Sequence, residues 1–178
     1  TSFTVTASSG GNGSVSPQSI SLLGGAAVEF QLTADTGYSL ESVTGCPGTL
    51  SGNTFTTEAL TAACSLTASF AINQYPVTVE TVTGGSLLPV SAQVDHGEVA
   101  QFEVTVDEGY QLDGVSGCEG SLSGTTYTTG PVTAACSIVP DFSLKQYAVS
   151  TAVIAGDGSV DPQALTVAHG NSGLLTVT

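Results

Sequence analysis

Gly45-Cys46-Pro47-Gly48-Thr49-Leu50-Ser51-Gly52-Asn53-Thr54-Phe55-Thr56-Thr57-Glu58-Ala59-Leu60-Thr61-Ala62-Ala63-Cys64-Ser65 decides the fold, because the chain contains it twice. The second version is Gly117-Cys118-Glu119-Gly120-Ser121-Leu122-Ser123-Gly124-Thr125-Thr126-Tyr127-Thr128-Thr129-Gly130-Pro131-Val132-Thr133-Ala134-Ala135-Cys136-Ser137. Cys46 and Cys64 each recur 72 positions further on, as Cys118 and Cys136. A fixed period of this size is the mark of a tandem array, and it has to be recognised before any element is assigned.

Extending the alignment outward from these stretches needs no gap. Residues 2–73 and 74–145 are identical at 29 of 72 positions. A third copy opens at Gln146: Gln146-Tyr147-Ala148-Val149-Ser150 echoes Gln74-Tyr75-Pro76-Val77-Thr78 and Ser2-Phe3-Thr4-Val5-Thr6. Gly158-Ser159 and Pro162 then match Gly85-Ser86 and Pro89 with one residue inserted. The expected organisation is repeat 1 over 1–73, repeat 2 over 74–145 and an incomplete repeat 3 over 146–178. The joins Ala71-Ile72-Asn73-Gln74 and Ser143-Leu144-Lys145-Gln146 contain no Gly/Ser or Pro-rich spacer. Neighbouring repeats are therefore expected to abut in a semi-rigid rod.

Within a repeat the local signal is strand after strand. Val28-x-Phe30-x-Leu32-x-Ala34 and Ala100-x-Phe102-x-Val104-x-Val106 alternate apolar with polar residues, as do Cys64-x-Leu66-x-Ala68-x-Phe70 and Cys136-x-Ile138-x-Pro140-x-Phe142. A period of two buries one face of a strand and wets the other. Turn signals separate the runs: Gly10-Gly11-Asn12-Gly13, Gly24-Gly25, Asp35-Thr36-Gly37 and Ser51-Gly52-Asn53. The first repeat reads as six strands near 3–8, 14–22, 26–34, 38–44, 53–57 and 64–71. No stretch carries an amphipathic helix. The predicted class is all-β, a tandem array of small disulfide-stapled β-sandwich or β-grasp-like repeats of about 72 residues.

The cysteines fall as two equivalent pairs. A four-cysteine zinc site needs ligands in close pairs, and these pairs are too widely spaced for one. One disulfide within each repeat, Cys46–Cys64 and Cys118–Cys136, fits a unit small enough to need a staple. Such bonds persist outside the cytosol.

Composition narrows the partners. One Lys+Arg, Lys145, stands against 15 Asp+Glu, for a net charge of −14. Binding phosphate backbones takes several cations, so nucleic acid is not expected as a partner. Only 9% of residues are charged, against 40% hydrophobic and a mean hydropathy of +0.29. Solubility then rests on Ser, Thr, Asn, Gln and the acids. No apolar run reaches the ~18 residues of a membrane span, so membrane insertion is not expected.

Catalytic and metal-binding candidates are sparse. His96-Gly97 and His169-Gly170 occupy equivalent positions once the third copy's insertion is counted, and the first copy has Gly24-Gly25 there. A residue that one copy replaces with glycine reads as a turn residue, not a base. No serine sits in a nucleophile elbow. Asp35-Thr36-Gly37-Tyr38, Asp107-Glu108-Gly109-Tyr110 and Asp157-Gly158-Ser159-Val160-Asp161 lack the ligand spacing of a calcium loop and read as turns. No enzyme activity, cofactor or metal is expected. The aromatics that recur in register, Tyr38/Tyr110, Phe55/Tyr127 and Phe70/Phe142, read as core.

The repeat resembles a known family, the divergent internalin-B-type B-repeats of bacterial surface proteins. The resemblance rests on the [FY]-x-V-[TS] opening, Gly-Ser-[VL] with Pro four residues after the Gly, and [HG]-Gly. It continues through Phe30-x-Leu32-Thr33-Ala34-Asp35-x-Gly37-Tyr38 with Val43 behind it, and the closing strand from Thr61-Ala62 to Phe70. The cysteine pair looks like that of a disulfide-bearing subgroup. Membership implies an extracellular or cell-surface setting and a structural stalk or spacer in an adhesin-like protein. Its partners would be neighbouring repeats of the same chain. Two other roles are compatible with the sequence. One is a self-assembling filament subunit that exchanges strands through residues 146–178. The other is a non-catalytic accessory or glycan-binding module of a secreted hydrolase.

Overall fold

The computed structural model describes residues 1–178, and contacts divide the chain into two compact units, Thr1–Tyr75 with Asp95–Gly97, and Pro76–Val94 with Glu98–Thr178. Neither contains a helix. The first unit carries β1 (Ser2–Ser9), β2 (Gly13–Ser16), β3 (Ser19–Leu23), β4 (Glu29–Ala34), β5 (Tyr38–Thr44), β6 (Gly48–Ser51), β7 (Thr54–Thr57) and β8 (Cys64–Ile72). They form two four-stranded sheets, ordered β3-β1-β8-β5 and β2-β4-β7-β6. All pairings are antiparallel except that of β1 with β8, the first and last strands, which run parallel with Val5 opposite Cys64.

Both sheets turn their apolar positions into one core. Val5, Ala7, Leu66, Ala68 and Phe70 come from one sheet, and Val15, Phe30, Leu32 and Phe55 from the other. Leu60 closes the end from a loop. Each large side chain buried here is worth roughly 1.5–3 kcal/mol relative to water. This is a β-sandwich, and the alternation in the sequence is its cause. Residues between the buried ones face out, and many are hydroxylated. Thr4 pairs with Ser21 at 2.7 Å and Thr6 with Ser65 at 2.9 Å. Hydroxyl ladders of this kind give the outer face a polar surface in a chain with few charges.

The second unit repeats the plan. Its strands are β9 (Gln74–Val79), β10 (Gly85–Leu88), β11 (Ser91–Asp95), β12 (Gln101–Val106), β13 (Tyr110–Gly117), β14 (Ser121–Ser123), β15 (Thr126–Thr128) and β16 (Cys136–Leu144), except that Gln74 and Tyr75 of β9 and Asp95 of β11 group with the first unit. The sheets are β11-β9-β16-β13 and β10-β12-β15-β14. Register is kept: Phe102 lies opposite Tyr127 as Phe30 lies opposite Phe55, and Val77 opposite Cys136 as Val5 opposite Cys64. Val77, Leu87, Phe102, Val104, Tyr127, Val132 and Ile138 are buried. Four more strands follow: β17 (Gln146–Ser150), β18 (Val160–Asp161), β19 (Ala164–Ala168) and β20 (Thr176–Val177). They form two antiparallel pairs, β17-β19 and β18-β20, and leave Tyr147, Ile154, Leu174 and Val177 exposed.

The strand expected over 14–22 is two strands in different sheets. β2 pairs with β4, β3 pairs with β1, and Pro17-Gln18 carries the chain from one sheet to the other. Proline has no N–H to give to a ladder, so it sits where the ladder must end. Ser16-Pro17, Leu88-Pro89 and Asp161-Pro162, at equivalent positions, are all cis. The strand expected over 26–34 begins only at Glu29. Ahead of it, the Val28 N–H donates to Thr57 Oγ1 and the Val28 carbonyl accepts from the Thr57 N–H. β6 was not expected as a strand. Its four residues hold their place only by pairing with β7 across the Gly52-Asn53 turn.

Candidate functional site

The twice-occurring stretch folds as a closed loop on the side of each sandwich. β5 ends at Thr44, and Gly45 then takes φ 104, as Gly117 takes φ 106. A Cβ at either glycine would run into the backbone carbonyl of Ser65 or Ser137, so the position excludes every other residue. This tight approach delivers the next residue, Cys46, to Cys64 at the head of β8, with Cα atoms 5.5 Å apart. Cys118 and Cys136 are joined in the same way, also at 5.5 Å. Each disulfide thus ties the end of one strand to the start of another and encloses a hairpin, β6-β7 or β14-β15. Beside each bridge is a shallow cavity. One of about 200 Å³ is lined by Pro47, Leu60 and Cys64, and one of about 150 Å³ by Glu119, Val132 and Cys136.

The two loops differ in two buried side chains, Val132 standing where the first has Leu60 and Tyr127 where it has Phe55. Tyr127 replaces Phe55, and its hydroxyl donates to the Gly117 carbonyl at 2.5 Å. Burial raises its pKa, so the hydroxyl keeps its proton and stays a donor. Thr57 and Thr129, both buried, are a matched pair that the sequence reading passed over. Each Oγ1 accepts a backbone N–H, from Val28 at 3.0 Å and from Ala100 at 2.9 Å. The only signal for them was the repeated Thr-Thr at the end of the hairpin.

The histidines lie at turns. The His96 ring lies against Gly37, in the Asp35-Thr36-Gly37-Tyr38 turn, and the His169 ring lies against Gly109 in the equivalent turn. Each also meets a tyrosine: His96 Nδ1 is 3.4 Å from Tyr75 Oη, and His169 Nδ1 is 3.3 Å from Tyr147 Oη. The tyrosine hydroxyl is the side-chain hydrogen-bond partner of each ring. Asp35 and Asp107 shape their turns, accepting the N–H of Tyr38 and Tyr110 through their carbonyls. No three His, Cys, Asp or Glu side chains converge as a metal-ligating group. Asp113, at a bulge between β13 and β16, accepts hydrogen bonds from Ser143 and Gln111, which lower its pKa.

Two complete, equivalent units on this plan are matched by one family description. The divergent InlB B-repeat domain matches residues 3–74 and again 75–146. The chain belongs to the divergent InlB B-repeat family. Membership suggests a non-catalytic module of a repeat-containing extracellular surface protein. The InlB-type repeats here each carry the disulfide inside the matched region. No helix is long and apolar enough to cross a membrane. No significant match was found among curated proteins or among solved structures.

Proposed function

We propose that this segment is a stalk or spacer in a secreted or cell-surface protein, with repeats over 1–73 and 74–145 and the start of a third over 146–178. The observation that carries this reading is the joint. β8 ends at Ile72 and β9 begins at Gln74. β16 ends at Leu144 and β17 begins at Gln146. One residue, Asn73 or Lys145, is all that separates successive strands. A spacer built from such joins carries no linker between its units. In such arrays stability is roughly a sum of unit and neighbour terms.

A spacer depends on the number of its units, whereas a binding module depends on the identity of its surface. The test is therefore a swap in the full-length protein at its native surface. Replacing residues 3–74 with a second copy of 75–146, which keeps a glycine socket ahead of His96, should leave activity and the antibody accessibility of a terminal tag unchanged. Deleting 75–146 should reduce that accessibility. Loss of function on the swap would assign a recognition surface to the first repeat and overturn the spacer reading.

A second reading rests on a separate observation. β1 is flanked by β3 and β8, whereas β17, its counterpart, pairs with β19 alone. An edge of this kind takes an added strand. The occupant we propose has the pattern of β8 and runs parallel to β17, supplied by another copy of the chain. Sedimentation of the 178-residue chain should then show oligomers that grow with concentration. A monomer at every concentration would remove self-assembly.

A further inference from the structure

We propose that the Asp-x-Gly-Tyr turn of each InlB-type repeat is a docking socket whose occupant is the His-Gly turn of the repeat that follows, with the imidazole ring as the plug. The proposal holds whether the array serves as a spacer, a filament or an accessory module.

The same contact is built twice from residues far apart in sequence. At the first joint the Gly37 carbonyl accepts the Asn73 N–H at 2.8 Å, and the Asn73 carbonyl accepts the His96 N–H at 2.8 Å. At the second, the Gly109 carbonyl accepts the Lys145 N–H at 2.8 Å, and the Lys145 carbonyl accepts the His169 N–H at 2.8 Å. The single linking residue is thus bonded on one side to the turn before it and on the other to the turn after it. Above this backbone clasp lies the ring. A Cβ on Gly37 or Gly109 would overlap the imidazole of His96 or His169. Both glycines have positive φ, 84 and 81, so glycine serves the turn and the socket together. A tyrosine holds the ring from the other side. The Tyr75 and His96 centroids are 5.9 Å apart and tilted by 55°, and those of Tyr147 and His169 are 6.0 Å apart at 47°. The grouping of contacts agrees: Asp95–Gly97 fall with Thr1–Tyr75, not with the residues on either side of them. Gln74 adds a bond from Nε2 to Asp95 Oδ1 at 2.7 Å.

The first repeat separates the two parts of the device. Gly24 stands where the histidine would be. Its N–H still donates to the Thr1 carbonyl, at 3.0 Å, so the half of the clasp made by the following turn remains. The ring of Phe3, the counterpart of Tyr75, lies 3.1 Å from where a Gly24 Cβ would be. That half of the clasp therefore forms without the plug, and the ring is an added element at the two joints where a socket is present. A glycine one residue before Tyr, matched by a histidine in the next copy, becomes the compatibility rule for neighbours in the array.

The sequence supplies its own reporter. Lys145 is the only Lys or Arg in the chain, so trypsin has one target, at the second joint. Its backbone must leave the clasp before it can be cut. Cleavage then tracks the population of the open joint. We expect the native 178-residue chain to resist trypsin under conditions that digest an unfolded control. His169→Ala should be cut about two- to tenfold faster, the span that an aromatic contact of this type implies, with an unchanged circular dichroism spectrum. His169→Phe keeps a ring over Gly109 and should stay within twofold of the native rate. Native-like protection in His169→Ala overturns the proposal, as does rapid cutting of the native chain. Cutting of His169→Phe at the alanine rate overturns the packing role of the ring. The copy-swap experiment reads a different quantity, so failure of the spacer reading and failure of the socket are distinguishable.

Discussion

Phe102→Ala should destabilise the second unit by about 3–5 kcal/mol, the usual cost of emptying an aromatic site in a core. Phe102 is 0% exposed and central in β12, opposite Tyr127. Val104 and Leu87 are also buried, so the surroundings have little freedom to collapse into the space. The expected stability of a unit of about 72 residues is only about 4–11 kcal/mol. The substitution removes a large part of that. Val99→Ala, half-exposed in a loop, serves as the control and should cost under about 0.5 kcal/mol. Urea denaturation followed by far-ultraviolet circular dichroism checks the pair. The variant should show an early transition for the second unit while that of the first stays in place, because distant sites are independent. A loss below 1 kcal/mol would mean that Phe102 is not the core residue its burial indicates.

The parts of this fold that were legible in the sequence are those with a local cause. Alternation at Phe30, Leu32, Leu66, Ala68 and Phe70 follows from the two-residue period of a strand, and each of these residues is buried. Repetition paired the cysteines. What stayed hidden depends on partners that are distant in the chain. Nothing local shows that β2 and β3 join different sheets, although Pro17 marks the break between them. β6 is a strand only because β7 lies beside it. The parallel pairing of β1 with β8 brings together residues on either side of the whole unit. His96-Gly97 was legible as a turn, and Gly97 does take positive φ. The function of the ring was not legible, because Gly37, which it covers, belongs to the previous repeat. Its only trace in the sequence is a glycine in the repeat before each histidine, Gly37 lying 59 residues ahead of His96 and Gly109 60 ahead of His169. Thr57 and Thr129 were equally invisible: a threonine in a Thr-rich hairpin gives no sign that it alone will be buried and bonded to a backbone N–H.

Opening the first disulfide with Cys46→Ser and Cys64→Ser together should cost about 3 kcal/mol, the chain-entropy value for a loop closed over a sequence separation of 18. The physical argument is one of connection. Within its sheet the hairpin β6-β7 is held by the pairing of β7 with β4, and that register spans only Glu29 to Gln31. The bridge fixes both ends of the hairpin loop to the opposite sheet, at the end of β5 and the start of β8. Without it the unfolded chain gains freedom and the hairpin loses its anchor. In a domain of this size each kcal/mol moves the midpoint by about 4–8 °C. The first unit should therefore melt roughly 12–24 °C lower, with the second unit, closed by Cys118–Cys136, unchanged. Reducing agent applied to the native chain should move both transitions by similar amounts. Hydrogen exchange should quicken first at β6 and β7 in the serine variant. If reduction moves neither transition, the sandwich stands on its sheets alone and the bridges are dispensable. If both move as expected, a unit this small loses much of its margin wherever thiols are kept reduced. Its stability then depends on an oxidising compartment, the setting that the family suggests for a surface repeat.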